Sequence, residues 1–246
     1  AGSNALVAEM KDSGGNGLNF SINNSSPYRQ IIGVGGGETL GLAANGITSV
    51  KLVLDGNSKI SLSNNDSGTS NTIFGKNAGA SIDAGSNFNT FIGESVSDAS
   101  MNDAIDNTAV GYQAMSALTT GDDNTAVGMR ALLDLDSGNK NTGLGESAGR
   151  SITSGEENVM VGHQAGDAVT DGGSNTIVGQ NAGTSNNFSY NTFIGREAGR
   201  DVSGSSANGQ VAVGTNALAG MTSGIYNTAV GYQAIGGGTG GANTSY

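Results

Sequence analysis

Asn107-Thr-Ala-Val-Gly-Tyr-Gln-Ala114 returns, letter for letter, as Asn227-Thr-Ala-Val-Gly-Tyr-Gln-Ala234. Its first five positions recur in looser spelling as Asn71-Thr-Ile-Phe-Gly75, Asn89-Thr-Phe-Ile-Gly93, Asn124-Thr-Ala-Val-Gly128 and Asn141-Thr-Gly-Leu-Gly145. Further copies are Asn158-Val-Met-Val-Gly162, Asn175-Thr-Ile-Val-Gly179, Asn191-Thr-Phe-Ile-Gly195 and Gln210-Val-Ala-Val-Gly214. The ten glycines follow one another at intervals of 16 to 19 residues. A fixed period this short means one small unit stacked on itself rather than a globule around a single core. The repeat predicts an all-β fold, a parallel β-roll or β-solenoid of about ten coils.

Each unit is numbered here from its glycine as position 0. Position −1 is always large and apolar, from Phe74 to Val230, and position −3 is Thr in eight units and Val in two. Alternate residues of a strand share a face, so −3 and −1 are assigned together to the inside of the coil. Position −2, on the other face, never carries a charged or hydrogen-bonding side chain. A strand apolar on both faces is covered on both, and a lone solenoid covers one. The −2 face therefore predicts a homotrimer, with Ile73, Phe91, Met160, Ile177 and Phe193 as its interface. Position +3 is Ala in nine units and Val96 in the tenth, which suits a tight corner. The Asn at −4 is expected to satisfy backbone groups at the turn and to stack on its neighbours.

Composition narrows the class. Among 246 residues there are 43 Gly, one Pro, no Cys and no Trp, and 13% are charged. Glycine without a triplet period excludes collagen, and the recurring apolar positions argue against disorder. A net charge of −11 excludes wrapping of nucleic acid or attraction to an anionic bilayer. The longest apolar runs fall far short of the ~20 residues of a membrane span, so no membrane insertion is expected. Residues 1–70 lack the repeat and read as a small β module or cap. Leu18, Phe20 and Ile22 alternate as a half-buried strand, Ile31–Val34 is a short apolar run, and 50–63 reads as a hairpin about Asp55-Gly56-Asn57. Residues 71–242 are the repeat array, roughly 50 Å long at the ~4.8 Å spacing of paired strands. Residues 243–246 spell the start of a further, truncated unit, so the sequence reads as part of a longer chain.

Catalytic chemistry finds little to work with. His163 is the sole histidine and, with no Cys, cannot gather a zinc site. Carboxylates cluster at Asp103 with Asp106, Asp122-Asp123, Asp134 with Asp136, and Glu156-Glu157. Glycan hydrolysis would need a pair flanking a groove that raises one pKa, whereas these fall in polar turns, so no enzyme is expected. No cofactor is expected either. Asp134-Leu-Asp136-Ser-Gly138 offers the oxygen ligands calcium takes, without an EF-hand loop or a Gly-Gly-x-Gly-x-Asp repeat. The Thr column at −3 would suit an ice-binding array if it faced solvent; its inward assignment argues otherwise. Exposed contacts are expected at +1 and +2, at Tyr112, Gln113, Arg130, His163, Tyr232 and Gln233.

The Asn-Thr-Ala-Val-Gly-x-x-Ala unit resembles the head repeats of trimeric autotransporter adhesins, the YadA-like heads, over about residues 71–242. It is also similar to fibre-type structural proteins of marine tailed bacteriophages, which carry Asn-Thr-Ala-Val-Gly-Tyr-Gln-Ala arrays like 107–114 and 227–234. That second likeness extends to an entry segment like Lys59-Ile-Ser-Leu-Ser-Asn-Asn-Asp-Ser-Gly68. The phage likeness implies an extracellular virion appendage: a trimeric tail or other fibre, joined to further appendage proteins and supporting attachment to a host receptor or glycan. The adhesin likeness implies the head of a bacterial surface adhesin. Neither implies a catalytic residue; a glycan-cleaving spike and an ice-binding solenoid are the remaining alternatives.

Overall fold

The chain is described by a computed structural model. It describes short strands between residues 5 and 61, then residues 70–236 apart from 185–186, 203–207 and 222–223, and a last strand at 244–245. By contacts the chain divides into two units, Ala1–Ser58 and Lys59–Tyr246.

In the first unit β1 (Ala5–Lys11), β2 (Gly17–Asn23) and β3 (Arg29–Gly33) form an antiparallel meander. The alternating Leu18, Phe20 and Ile22 lie on β2, and most of the Ile31–Val34 run lies on β3. β4 (Leu40–Leu42) and β5 (Leu52–Leu54) form a separate antiparallel pair.

The second unit is a β-solenoid. It opens with β6 (Ile60–Ser61), then β7 (Thr72–Phe74), β8 (Thr90–Ile92), β9 (Thr108–Val110), β10 (Thr125–Val127) and β11 (Thr142–Leu144). It continues through β12 (Val159–Val161), β13 (Thr176–Val178), β14 (Thr192–Ile194), β15 (Val211–Val213), β16 (Thr228–Val230) and β17 (Thr244–Ser245). All twelve stack in chain order in one sheet, and β7 to β16 are ten parallel strands making about nine turns. No helix occurs among the described residues, and so none long and apolar enough to cross a membrane.

The repeat lies in register. Thr72 pairs with Thr90, Thr90 with Thr108, and Thr108 with Thr125. Within each step the −3 N–H donates to the −4 carbonyl of the next coil, and the glycine N–H donates to the −1 carbonyl of the coil before. Examples are Thr125 N to Asn141 O and Gly145 N to Val127 O, both at 2.8 Å. The ladder continues round the corner, where Gln164 N donates to Glu146 O at 2.9 Å.

The hairpin expected over 50–63 does not form: β5 pairs with β4, and β6 runs antiparallel against β7. The first rung has no coil before it, so its outer edge needs a partner, and β6 supplies one. The expected turn at 55–57 lies outside the described residues.

The inside and outside of the coil are the reverse of the sequence assignment. In all ten strands the −2 residue is buried and its two neighbours are not. The core therefore consists of −2, the Ala column at +3, larger residues at +4, and an apolar column at +7. That last column includes Ile82, Leu118, Leu135, Ile152, Val169, Val202 and Met221. Volumes compensate within each coil. Where −2 is large, as at Ile73, Met160, Ile177 and Phe193, +4 is Gly79, Gly166, Gly183 and Gly199. Where −2 is Ala109, Ala126 or Ala212, +4 is Met115, Leu132 or Leu218. In the coil with two glycines, Gly143 and Gly149, the space is taken from either side by Leu132 and Met160. Constant filling at close-packed density is what a stacked core demands.

A buried asparagine ladder completes the interior. Asn141 donates from Nδ2 to Gly155 O at 2.7 Å, and its Oδ1 accepts the Asn158 N–H at 3.1 Å. The same pattern runs from Asn71 to Asn175, so the −4 residues are fully buried yet bonded. At the irregular unit Gln210 substitutes. Its Nε2 reaches Gly224 O at 2.6 Å and its Oε1 accepts the Asn227 N–H at 3.1 Å.

Candidate functional site

With −2 turned inward, the strands present −3 and −1 to solvent. The result is a regular two-column face: at −3 a Thr, or Val at Val159 and Val211, half-buried or exposed, and a bulky apolar residue at −1. Phe74, Ile92, Val127, Leu144, Ile194 and Val230 are all exposed, Phe74 by 52%. At ~4.8 Å per rung and ~3.3 Å per residue the face measures about 45 by 10 Å. The apolar −1 column makes up one side of that face and the mostly Thr −3 column the other, so the continuous apolar stripe is about half of it, on the order of 200 Å².

The five residues assigned to a trimer interface are therefore corrected. Ile73, Phe91, Met160, Ile177 and Phe193 lie at most 1% exposed within the chain's own coil. Strand parity fixed which residues travel together but not which set faces in, because −1 and −2 are both apolar columns. The inward set is the one whose volumes complement +4.

The expected contact ridge is at the surface. Tyr112 and Tyr232 are exposed, Tyr232 by 73%, and so are His163 and Gln233. Gln113 is half-buried, and its Oε1 lies 3.4 Å from Arg130 Nε one coil on. His163 Nε2 stands 4.0 Å from Glu146 Oε2, an ion pair only when the imidazole is protonated. Lys76 and Glu94 pair in the same column at 3.2 Å.

The carboxylates bind neighbouring coils. Asp122 Oδ1 accepts the Ile105 N–H at 2.8 Å, Glu156 accepts from Asn139, Glu157 from Ser174, and Asp136 from the Thr119 hydroxyl. Hydrogen bonds from Thr153 and Ser154 hold the Asp171 carboxyl below the usual range, and one from Ser86 does the same for Asp83. Burial pushes Asp167 up, against the pull of Arg150 and His163. Among the described residues no three His, Cys, Asp or Glu side chains converge as metal ligands, and Asp136 is turned to Thr119.

Sequence reading missed a second exposed row at −5, just before the asparagine. Phe88, Tyr190 and Tyr226 stand there 60%, 70% and 68% exposed, each with a left-handed backbone (φ 61°, 64° and 57°). An aromatic in a turn otherwise filled by Ser, Asp, Lys, Glu and Gly was the available signal. No protein-family model, curated protein or solved structure gives a significant match to this chain.

Proposed function

We propose that the chain is a structural and adhesive rod: a segment of a homotrimeric tail or other appendage fibre of a phage virion, supporting attachment to a host receptor. The observation that carries this reading is the outward −3/−1 face, ten rungs long and in register. It supplies an exposed surface, one column apolar and one mostly Thr, that a fibre of several chains would bury, on the face opposite to the one first assigned. Parallel pairing along the stack makes the rod stiff, and threefold repetition would multiply weak receptor contacts. The −5 aromatics and the +1/+2 ridge stay at the surface, available to a receptor or to other appendage proteins. Sedimentation equilibrium of the purified chain tests this. Three times the 24.3 kDa chain mass is the expected result, and a folded monomer at micromolar concentration rejects the trimer.

A second reading has its own observation. The Thr column faces solvent, the condition under which an ice-binding array becomes reasonable. Bare faces and trimers are exclusive, so a monomer that produces thermal hysteresis would favour this reading over the fibre.

A further inference from the structure

Two tyrosines of the −5 row stand close together near the end of the described array. Tyr190 and Tyr226 are two rungs apart, about 10 Å at the spacing of paired strands. The rung between them carries Gly209. A Cβ there would lie 2.5 Å from Tyr226 Cδ1 and 2.8 Å from Cε1, so the Tyr226 ring already occupies the place of a side chain on that rung. The backbone beneath is pinned by the ladder. Tyr190 N donates to Gly173 O at 3.0 Å, Gly209 N to Ser189 O at 3.3 Å and Tyr226 N to Asn208 O at 3.2 Å. Both tyrosines hold a left-handed backbone, which a bulky side chain adopts at a cost. Burial does not offset that cost, since they stay 70% and 68% exposed.

The surroundings are uncharged. From Gly173 to Tyr226 the −6 and −5 columns hold no charged residue, whereas the coils before carry Asp106, Asp122, Asp123, Lys140, Glu156 and Glu157 in the same columns. Neither tyrosine ring stacks on another aromatic among the described residues. Ser189 Oγ accepts the Gly173 N–H at 3.0 Å, and Asn208 Oδ1 accepts the Ser189 N–H at 2.8 Å. That leaves a hydroxyl proton and an amide Nδ2 as donors on the residues preceding Tyr190 and Gly209. The tyrosine hydroxyls sit at the tips of exposed side chains, where each can donate and accept. Flat apolar rings framed by uncharged hydroxyls and amides match a pyranose, which offers an apolar C–H face and hydroxyls around its rim. A nucleobase also stacks on exposed aromatics, but its phosphates would meet no cation in these columns and a chain of net charge −11.

We infer that Tyr190 and Tyr226 form a two-ring platform for a neutral oligosaccharide, whose pyranose faces stack on the rings across the Gly209 rung. The inference deepens the attachment reading and rests on it.

The test is a printed array of neutral and acidic oligosaccharides, probed with the whole chain, with the strongest neutral hit then titrated by calorimetry. Tyr190→Ala and Tyr226→Ala each remove one ring, while Tyr190→Phe and Tyr226→Phe keep the ring and remove the hydroxyl. Tyr232→Ala is the control: it removes a tyrosine 73% exposed in the +1 column, away from the platform's row. The expected result is neutral-glycan binding weakened about tenfold or more by each alanine variant, weakened less by the phenylalanine variants and unchanged in the control. No neutral hit, hits confined to acidic glycans, or parent-like binding by either alanine variant overturns the platform. So does a loss as large in the phenylalanine variants or in the control. Sedimentation separates the two claims. A trimer that ignores glycans keeps the rod and loses the platform, while a monomer that binds through the two tyrosines does the reverse.

Discussion

At the scale of single residues, stability rests on buried groups that have one available partner. Replacing Asn141 with Ala would strand the Gly155 carbonyl and the Asn158 N–H inside the coil. At about 1–3 kcal/mol for each unsatisfied group, Asn141→Ala should cost roughly 2–6 kcal/mol in urea denaturation. Cutting the exposed Lys76–Glu94 pair should cost under about 1 kcal/mol, so equal losses would discredit the ladder as the organising bond. The glycine at position 0 is constrained in two ways. A Cβ on Gly145 would lie 2.6 Å from Gly162 O at φ 131°, whereas one on Gly231, at φ 122°, meets nothing within 4 Å among the described residues. Gly145→Ala is accordingly expected to lower the melting temperature much further than Gly231→Ala. Asp167 carries the pH prediction. Burial raises its pKa in the fold above the ordinary 3.8, so the folded chain binds this proton more tightly than the unfolded chain. Stability then falls as pH rises through the window that opens near 3.8. Asp167→Asn should match the parent chain at pH 3 and exceed it at pH 7; a variant weaker at pH 7 reverses the sign.

At the scale of the element, a strand of three residues has one central side chain facing one way and two flanking side chains facing the other. The sequence made the strand, its period and its register legible, because Asn, Thr and Gly mark its ends in nearly every unit. It also placed the contact ridge at the surface. It left the sign of the face open, since Val127 and Ala126 are both apolar and parity alone favours neither. The deciding signal lay further along each unit, in the reciprocal sizes of −2 and +4 and in the +7 apolar column hidden among polar turn residues. Reciprocal size can be measured directly. Ala109→Ile should overpack its coil by about 1–3 kcal/mol, and Met115→Gly should leave a cavity worth about 2–5 kcal/mol. Together they restore the pairing seen at Ile73 and Gly79, so the double variant should be more stable than the sum of the singles by about 0.5–3 kcal/mol. Simple additivity would mean that the two positions do not share one space.

At the scale of the whole molecule, the same strand carries both the fold and the proposed assembly, and its two faces should fail in different ways. Ala126 is wholly buried and Val127 beside it is exposed, as is Leu144 on the next rung. A carboxylate at Ala126 would be buried without a partner, which the coil cannot accommodate. Since each coil is held mainly by its neighbours, the loss should spread along the array, and Ala126→Asp should abolish the β signal in circular dichroism. A carboxylate at Val127 or Leu144 stays in water in a single chain, so the coil should fold as before. In a trimer closed on the −3/−1 face, three such charges would meet about one axis with their hydration removed, a like-charge juxtaposition that costs several kcal/mol. Val127→Asp with Leu144→Asp should therefore sediment as a folded monomer while the parent chain sediments as a trimer. If the double variant still assembles, the subunits meet through another surface, and the outward stripe has to be explained by something other than sister chains.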